Sequence, residues 1–210
     1  MTTTLWLIRH PEPESSSEGR CYGSLDWKLS ENGLHQAQAI AATLAAEPVA
    51  AIYTSPRRRC TQAAEIMAFS RSCPVQVCDA FRELDFGEFE GRTYDEIAGL
   101  YPELYKQWMK EPTEVQFPGG ESFAAMRERV LSAAAGLRKR HSGETVAMVT
   151  HGGVIRVVIA EALGLEPSRI FRIGQRHAAL NLIRYFGETP LVELVNAQAR
   201  RRPSDIVTAP

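Results

Sequence analysis

Leu5-Trp6-Leu7-Ile8-Arg9-His10-Pro11-Glu12 and Val146-Ala147-Met148-Val149-Thr150-His151-Gly152-Gly153 are built alike: an unbroken apolar run, a histidine, then a turn marked by proline or glycine. An apolar run without polar alternation fits a strand covered on both faces, as in the parallel sheet of an α/β protein. Ligands of such sheets bind beyond the carboxyl ends of the strands, which is where both histidines stand. Two imidazoles there, one beside an arginine, point to a site for an anion.

Outward from these two stretches, strand-like and helix-like patterns alternate. Residues 4–9, 50–54, 75–78, 145–150 and 178–186 read as strands, and 31–46, 56–69, 93–108, 122–140 and 152–163 as helices. That alternation predicts an α/β fold, a three-layer α/β/α sandwich around a mostly parallel central sheet. Ser30, Thr93 and Ser122 are placed to cap helices, Thr93 with Glu96 as a capping box. Ser55-Pro56 reads as an N-cap followed by proline in the first helical position. Gly164 ends the helix at 152–163. Segments 11–19 and 109–121 are loops. Residues 1–196 are expected to form one domain, followed by a mobile tail at 197–210 that carries Arg200-Arg201-Arg202.

Bulk properties exclude several classes. The chain has 210 residues, 44% of them hydrophobic and 23% charged, with a formal net charge of −1. No global field recruits nucleic acid or an anionic membrane. The first residues lack the pattern of a signal peptide, and no apolar stretch reaches transmembrane length. Cys21, Cys60, Cys73 and Cys78 lack metal-ligand spacing. The expectation is a cytoplasmic protein with reduced thiols, no metal and no cofactor.

Two more segments carry chemistry. Ser55-Pro56-Arg57-Arg58-Arg59-Cys60-Thr61-Gln62 sets three arginines at a helix start. Cations there oppose the helix dipole, a cost that a bound anion offsets. The bland alternative is a basic turn on a solvated face. Phe81-Arg82-Glu83-Leu84-Asp85-Phe86-Gly87-Glu88-Phe89-Glu90-Gly91 reads as a loop packed on the core, and a carboxyl held in it can act as a proton donor. The alternative is an acidic surface loop.

Arg9-His10, Ser55-x-x-x-Arg59-x-x-Gln62-x-Ala64, Glu83-(x)3-Gly87-x-x-Glu90-Gly91 and Thr150-His151-Gly152-Gly153-x-x-Arg156 occur in the order found in the histidine phosphatase superfamily, also called phosphoglycerate mutase-like. The chain resembles that family from about residue 5 to about 185. The resemblance implies a phosphoglycerate mutase-like fold and a phosphomonoester hydrolase acting on a small phosphorylated substrate without metal. His10 would be the nucleophile, and Arg9, Arg59 and a protonated His151 would hold the phosphate. Glu83 would be the proton donor. Ser16, Arg20, Tyr22, Arg82 and Gly152 are further candidates for substrate contact, and a homodimer is an open option because dimers are common in the superfamily.

Residues 19–33 and Pro118-Gly119-Gly120-Glu121-Ser122 most resemble the α-ribazole phosphatase-like branch, which acts late in cobalamin assembly. Two positions depart from the family pattern. Pro11 stands where a glycine is usual and offers no N–H, and Ser16 replaces a phosphate-contacting asparagine. The alternatives are a phosphoglycerate mutase, which the short 109–121 region and Ser16 disfavour, and a phosphate-ligand binding protein that has lost turnover.

Overall fold

The computed structural model describes residues 1–14, 19–69, 71 and 73–199. Six strands form one sheet: β1 (Thr2–Arg9), β2 (Val49–Thr54), β3 (Val75–Val77), β4 (Thr145–Thr150), β5 (Ala179–Phe186) and β6 (Thr189–Gln198). Their order is β3-β2-β4-β1-β5-β6. The first four in that order run parallel, and β5 and β6 are added antiparallel. The mostly parallel α/β sandwich expected from the sequence is the fold observed.

Helices α1 (Glu31–Thr43) and α2 (Arg58–Ala68) pack on one face of the sheet, and α5 (Phe123–Arg140) and α6 (Gly152–Ala162) on the other. Strand β1 shows why its apolar run is unbroken. Leu5 and Leu7 join the core with Val130 of α5 and Val158 of α6, whereas Trp6 and Ile8 join the opposite core with Ile40 of α1 and Met67 of α2. Side chains alternate between faces, so a strand covered on both sides must be apolar throughout. Each such buried aliphatic side chain contributes about 1.5–3 kcal/mol.

Local signals act where the sequence places them. The Ser30 hydroxyl accepts the Gly33 N–H and the Ser122 hydroxyl that of Ala125. Thr93 and Glu96 form a reciprocal capping box. Gly164 takes a positive φ of 63° just past α6, where only glycine adopts such a backbone without strain.

Three expectations change. The helix at 93–108 is two, α3 (Tyr94–Leu100) and α4 (Pro102–Lys110), because Pro102 forces Tyr101 out of the helical region to ψ 58°. The cap of α2 is Arg57 rather than Ser55, whose hydroxyl is used elsewhere. His141 caps α5, its Nε2 2.8 Å from the Tyr53 hydroxyl and its Nδ1 2.7 Å from Glu144. Strand β6 was not expected; it returns through a tight turn at Gly187 (φ 64°), and Ala197 and Gln198 pair with Leu180 and Ala179. Those two residues had been assigned to the tail. Residues 200–210, with the basic triplet, lie outside the described residues, as does Ser16. Among the described residues no helix is long and apolar enough to cross a membrane.

Candidate active site

Strands β1 and β4 pair in parallel register as far as Arg9 and Thr150. The next residue of each strand is a histidine, so register alone brings His10 and His151 together. The His10 N–H donates to Thr150 O at 2.8 Å, and the two ring centres are 5.2 Å apart. Both rings are buried.

His10 Nδ1 lies 2.8 Å from the carbonyl oxygen of Pro11. A carbonyl only accepts, so Nδ1 carries the proton and the lone pair is on Nε2. Burial, then the charges of Arg59, His151, Arg9 and His177, hold the ring well below the usual histidine range. The ring is neutral with its Nε2 lone pair free, the state a nucleophilic nitrogen requires. Pro11, which lacks an N–H, serves here through its carbonyl.

His151 stands at the N-cap of α6, with Nε2 2.7 Å from Ser55 Oγ and Nδ1 3.3 Å from Arg59 Nη2. A guanidinium only donates, so Nδ1 accepts and the proton sits on Nε2, facing Ser55. Burial first, then Arg59, Arg9 and Arg57, push its protonation far to the acid side. The surroundings of the ring thus favour its neutral form, whereas the resemblance implies a protonated His151 against the phosphate.

Three guanidinium groups surround the histidines, and backbone carbonyls hold each of them. Arg9 donates to Gln175 O at 2.6 Å. Arg59 donates to Leu25 O at 2.5 Å and Gly23 O at 2.7 Å. Arg156 donates to Ile173 O at 2.9 Å. Carbonyls orient a cation without cancelling its charge. Among the described residues no ion pair joins any of the three to a carboxylate. The Nε atoms of Arg9 and Arg59 are buried without a partner. Buried unsatisfied donors are costly, and a bound anion is a group able to accept from them.

Among the described residues Glu83 is the one carboxylate in the wall of this cavity of about 220 Å³. Its Oε2 accepts the Gly153 N–H at the start of α6, and its Oε1 accepts the Leu84 N–H, both at 3.0 Å. A Cβ at Gly153 would lie 2.4 Å from Glu83 Oε1. The double glycine after His151 thus leaves room for the carboxylate.

The remaining sequence candidates divide. Arg20 and Tyr22 line the cavity; Arg20 donates to Gly91 O at 2.7 Å, and the Arg59 guanidinium lies 5.3 Å from the centre of the Tyr22 ring. Gly152 is buried at the first turn of α6. Arg82 does not reach the cavity: it pairs with Asp79 at 2.7 Å and Glu121 at 3.6 Å. Arg58 is exposed, and Arg57 is half-buried at the cap of α2. His177 proves close, its ring 5.3 Å from that of His10 and its Nε2 3.4 Å from the Tyr22 hydroxyl. Burial, aided by Arg9, lowers its pKa to about 4.

The supporting residues were not foreseen. Glu90 accepts backbone N–H groups from Gly23, Ser24, Leu25 and Phe86, which fixes the loop whose carbonyls hold Arg59. Arg129 forks onto Glu121 with two contacts of 2.7 Å and donates to the carbonyls of Ala80, Arg82 and Glu83. The fork pins the backbone that carries Glu83. Arg156 was part of a quoted motif, and its place four residues after Gly152 on α6 was the available signal. Among the described residues no cluster of three or more His, Cys, Asp and Glu side chains could hold a metal ion.

The sequence pattern of the histidine phosphatase superfamily (branch 1) matches residues 5–198. The phosphoserine phosphatase 1 of Hydrogenobacter thermophilus is 36% identical over 179 residues, 85% of this chain and 85% of that protein. The adenosylcobalamin/alpha-ribazole phosphatase of Escherichia coli is 28% identical over 173 residues, 81% of this chain and 85% of that protein. Among solved structures, YhfR of Bacillus stearothermophilus superposes with a TM-score of 0.86 at 32% identity, covering 90% of this chain and 95% of that one.

Proposed function

The chain belongs to the histidine phosphatase superfamily and is a phosphatase, and from that premise we propose that it hydrolyses a small phosphomonoester through a phosphohistidine at His10. The observation that carries the reading is a His10 whose Nδ1 is engaged by the Pro11 carbonyl, leaving Nε2 for attack, beside three guanidinium groups that among the described residues form no ion pair with a carboxylate.

In the first step Nε2 forms a bond to phosphorus while the bond to the ester oxygen breaks. Protonated Glu83 gives its proton to that oxygen, and the alcohol leaves. In the second step a water oxygen bonds to phosphorus, its proton passes to the Glu83 carboxylate, and the P–N bond breaks with its electron pair returning to Nε2. Arg9, Arg59 and Arg156 stabilise the equatorial oxygens throughout. His151 completes the pocket from the other side, and an arriving phosphate dianion offsets the arginine charges that add to burial in disfavouring its protonation. Residues 1–196 act as one domain in this reading. A cytoplasmic location goes with it, supported by four free thiols at Cys21, Cys60, Cys73 and Cys78.

The substrate is a narrower question. Residues 19–33 and 118–122 favoured α-ribazole 5'-phosphate, but the relative named for that activity shares less identity than one named a phosphoserine phosphatase. Both esters belong in the first substrate panel.

An aryl phosphate assay tests the mechanism. Wild-type protein is expected to release phosphate and to yield an acid-labile phosphoryl adduct on His10, and His10→Ala to do neither. Equal phosphate release by wild type and His10→Ala would overturn the proposal.

A further inference from the structure

A second cavity, of about 170 Å³, lies against the reactive pocket. Glu83, Phe86, Tyr94 and Arg156 line both. Beyond them the wall of the second cavity is apolar, with Trp108, Phe123, Met126 and Ile170 buried and Phe171 half-exposed at its edge. Tyr94 stacks on Trp108 with ring centres 5.6 Å apart, and Phe86 lies 5.8 Å from the same indole. The Arg156 guanidinium sits 5.5 Å from the centre of the Phe171 ring, at the boundary between the cationic and apolar spaces.

Size and position both speak to an occupant. An apolar cavity of roughly 150 Å³ stays dry and takes up benzene, so this one matches a single aromatic ring. Glu83 gives its proton to the departing oxygen and therefore stands on the leaving-group side of phosphorus. With the phosphate held by Arg9, Arg59 and Arg156, the ester chain continues past Glu83 toward the apolar space.

We infer that this cavity is the leaving-group subsite, and that the preferred substrates are phosphomonoesters of alcohols bearing an aromatic or comparably apolar group a few carbons from the ester oxygen. The inference rests on the phosphatase reading above and narrows it. Beyond Glu83 and Arg156 the apolar wall gives an ammonium and a carboxylate no partner for the hydration they lose, so an amino-acid leaving group is disfavoured there.

The test compares kcat/KM for methyl phosphate, 3-phenylpropyl phosphate and O-phosphoserine. The first two leave as alcohols of similar acidity, so their ratio reads the subsite rather than intrinsic reactivity. The phenylpropyl ester is expected to be favoured over the methyl ester by at least about tenfold, the discrimination an apolar pocket achieves for even one methylene. O-phosphoserine is expected to be no better than methyl phosphate. Phe171→Ala, a truncation at the half-exposed edge, should lower the ratio. Pro112→Trp, which fills the cavity from its rim loop, should lower it through KM for the phenylpropyl ester. Equal kcat/KM for the two alkyl esters, a preference for O-phosphoserine, or an unchanged ratio in both variants would overturn the inference while leaving the phosphatase intact. Release from none of the three esters would refute the phosphatase reading, and the inference with it.

Discussion

Glu90 offers the sharpest test of how the site is held. Its carboxylate receives the N–H groups of Gly23 at 2.9 and 3.0 Å, Ser24 at 2.8 Å, Leu25 at 3.3 Å and Phe86 at 3.1 Å. The loop so fixed presents Gly23 O and Leu25 O to Arg59. Glu90 is thus a positioning residue that acts on the phosphate pocket at one remove. In Glu90→Gln one oxygen becomes an NH2 group. If the remaining oxygen keeps Gly23, Ser24 and Phe86, the NH2 confronts the Leu25 N–H and the second contact of Gly23, donor against donor. Hydrogen bonds to a charged group are worth about 1.5–3 kcal/mol each. Two lost, with partial rehydration of the loop, cost about 2–4 kcal/mol. At roughly 2–4 °C per kcal/mol for a chain of this size, Tm falls by about 4–16 °C. Release of Arg59 by an ångström or so lowers kcat/KM about 100-fold. Thermal unfolding and aryl phosphate turnover on one preparation measure both. A Tm within about 1 °C of wild type, against that expected fall, would refute the hydrogen-bond account. A lowered Tm with kcat/KM intact would refute the relay to Arg59.

Gly153→Ala places a Cβ 2.4 Å from Glu83 Oε1 in a helix that accepts alanine; kcat is expected to fall about 100-fold with Tm maintained, and full activity would show that Glu83 needs no such clearance. Glu83→Gln should cost about 10²–10⁴ in kcat on alkyl phosphates and far less on 2,4-dinitrophenyl phosphate, whose leaving group needs no proton. Equal losses on both would remove Glu83 as the acid. The buried histidines also set an acid limit on stability. Folding lowers the pKa of His10 and His151 well below the usual value and that of His177 to about 4, burial being the first cause in each. As pH falls from about 6.5 toward those values, the unfolded chain binds more protons than the native one, so stability is present above that range and is lost within it. The urea midpoint should therefore drop between pH 7 and pH 5, and His177→Asn should flatten the slope. A midpoint that stays level in wild type would contradict the neutral native histidines.

Some elements were legible because their physics is local. Leu5–Ile8 and Val146–Val149 announced doubly covered strands by their unbroken apolar runs, and Ser30, Thr93 and Ser122 announced helix starts by reach to an N–H three residues on. Strand β6 escaped because its residues alternate between half-buried and exposed at a sheet edge, a weak pattern without its hairpin partner. Arg82 was a candidate substrate contact because it flanks the Glu83 motif on a loop. Arg156 lines the cavity instead, since helical spacing from Gly152 aims it there while Asp79 and Glu121 hold Arg82 away.

The sequence by itself determined the α/β class and the residue types of the site, because apolar periodicity and ordered motifs are properties of the chain alone. The tertiary structure decided which charges stand uncancelled. Arg9, Arg59 and Arg156 are held by carbonyls of Gln175, Gly23, Leu25 and Ile173, and backbone carbonyls leave no mark in a sequence. It also decided that His151 is buried among arginines and that an apolar cavity adjoins Glu83. Both follow from burial among groups distant in the chain, and burial is set only when the layers close.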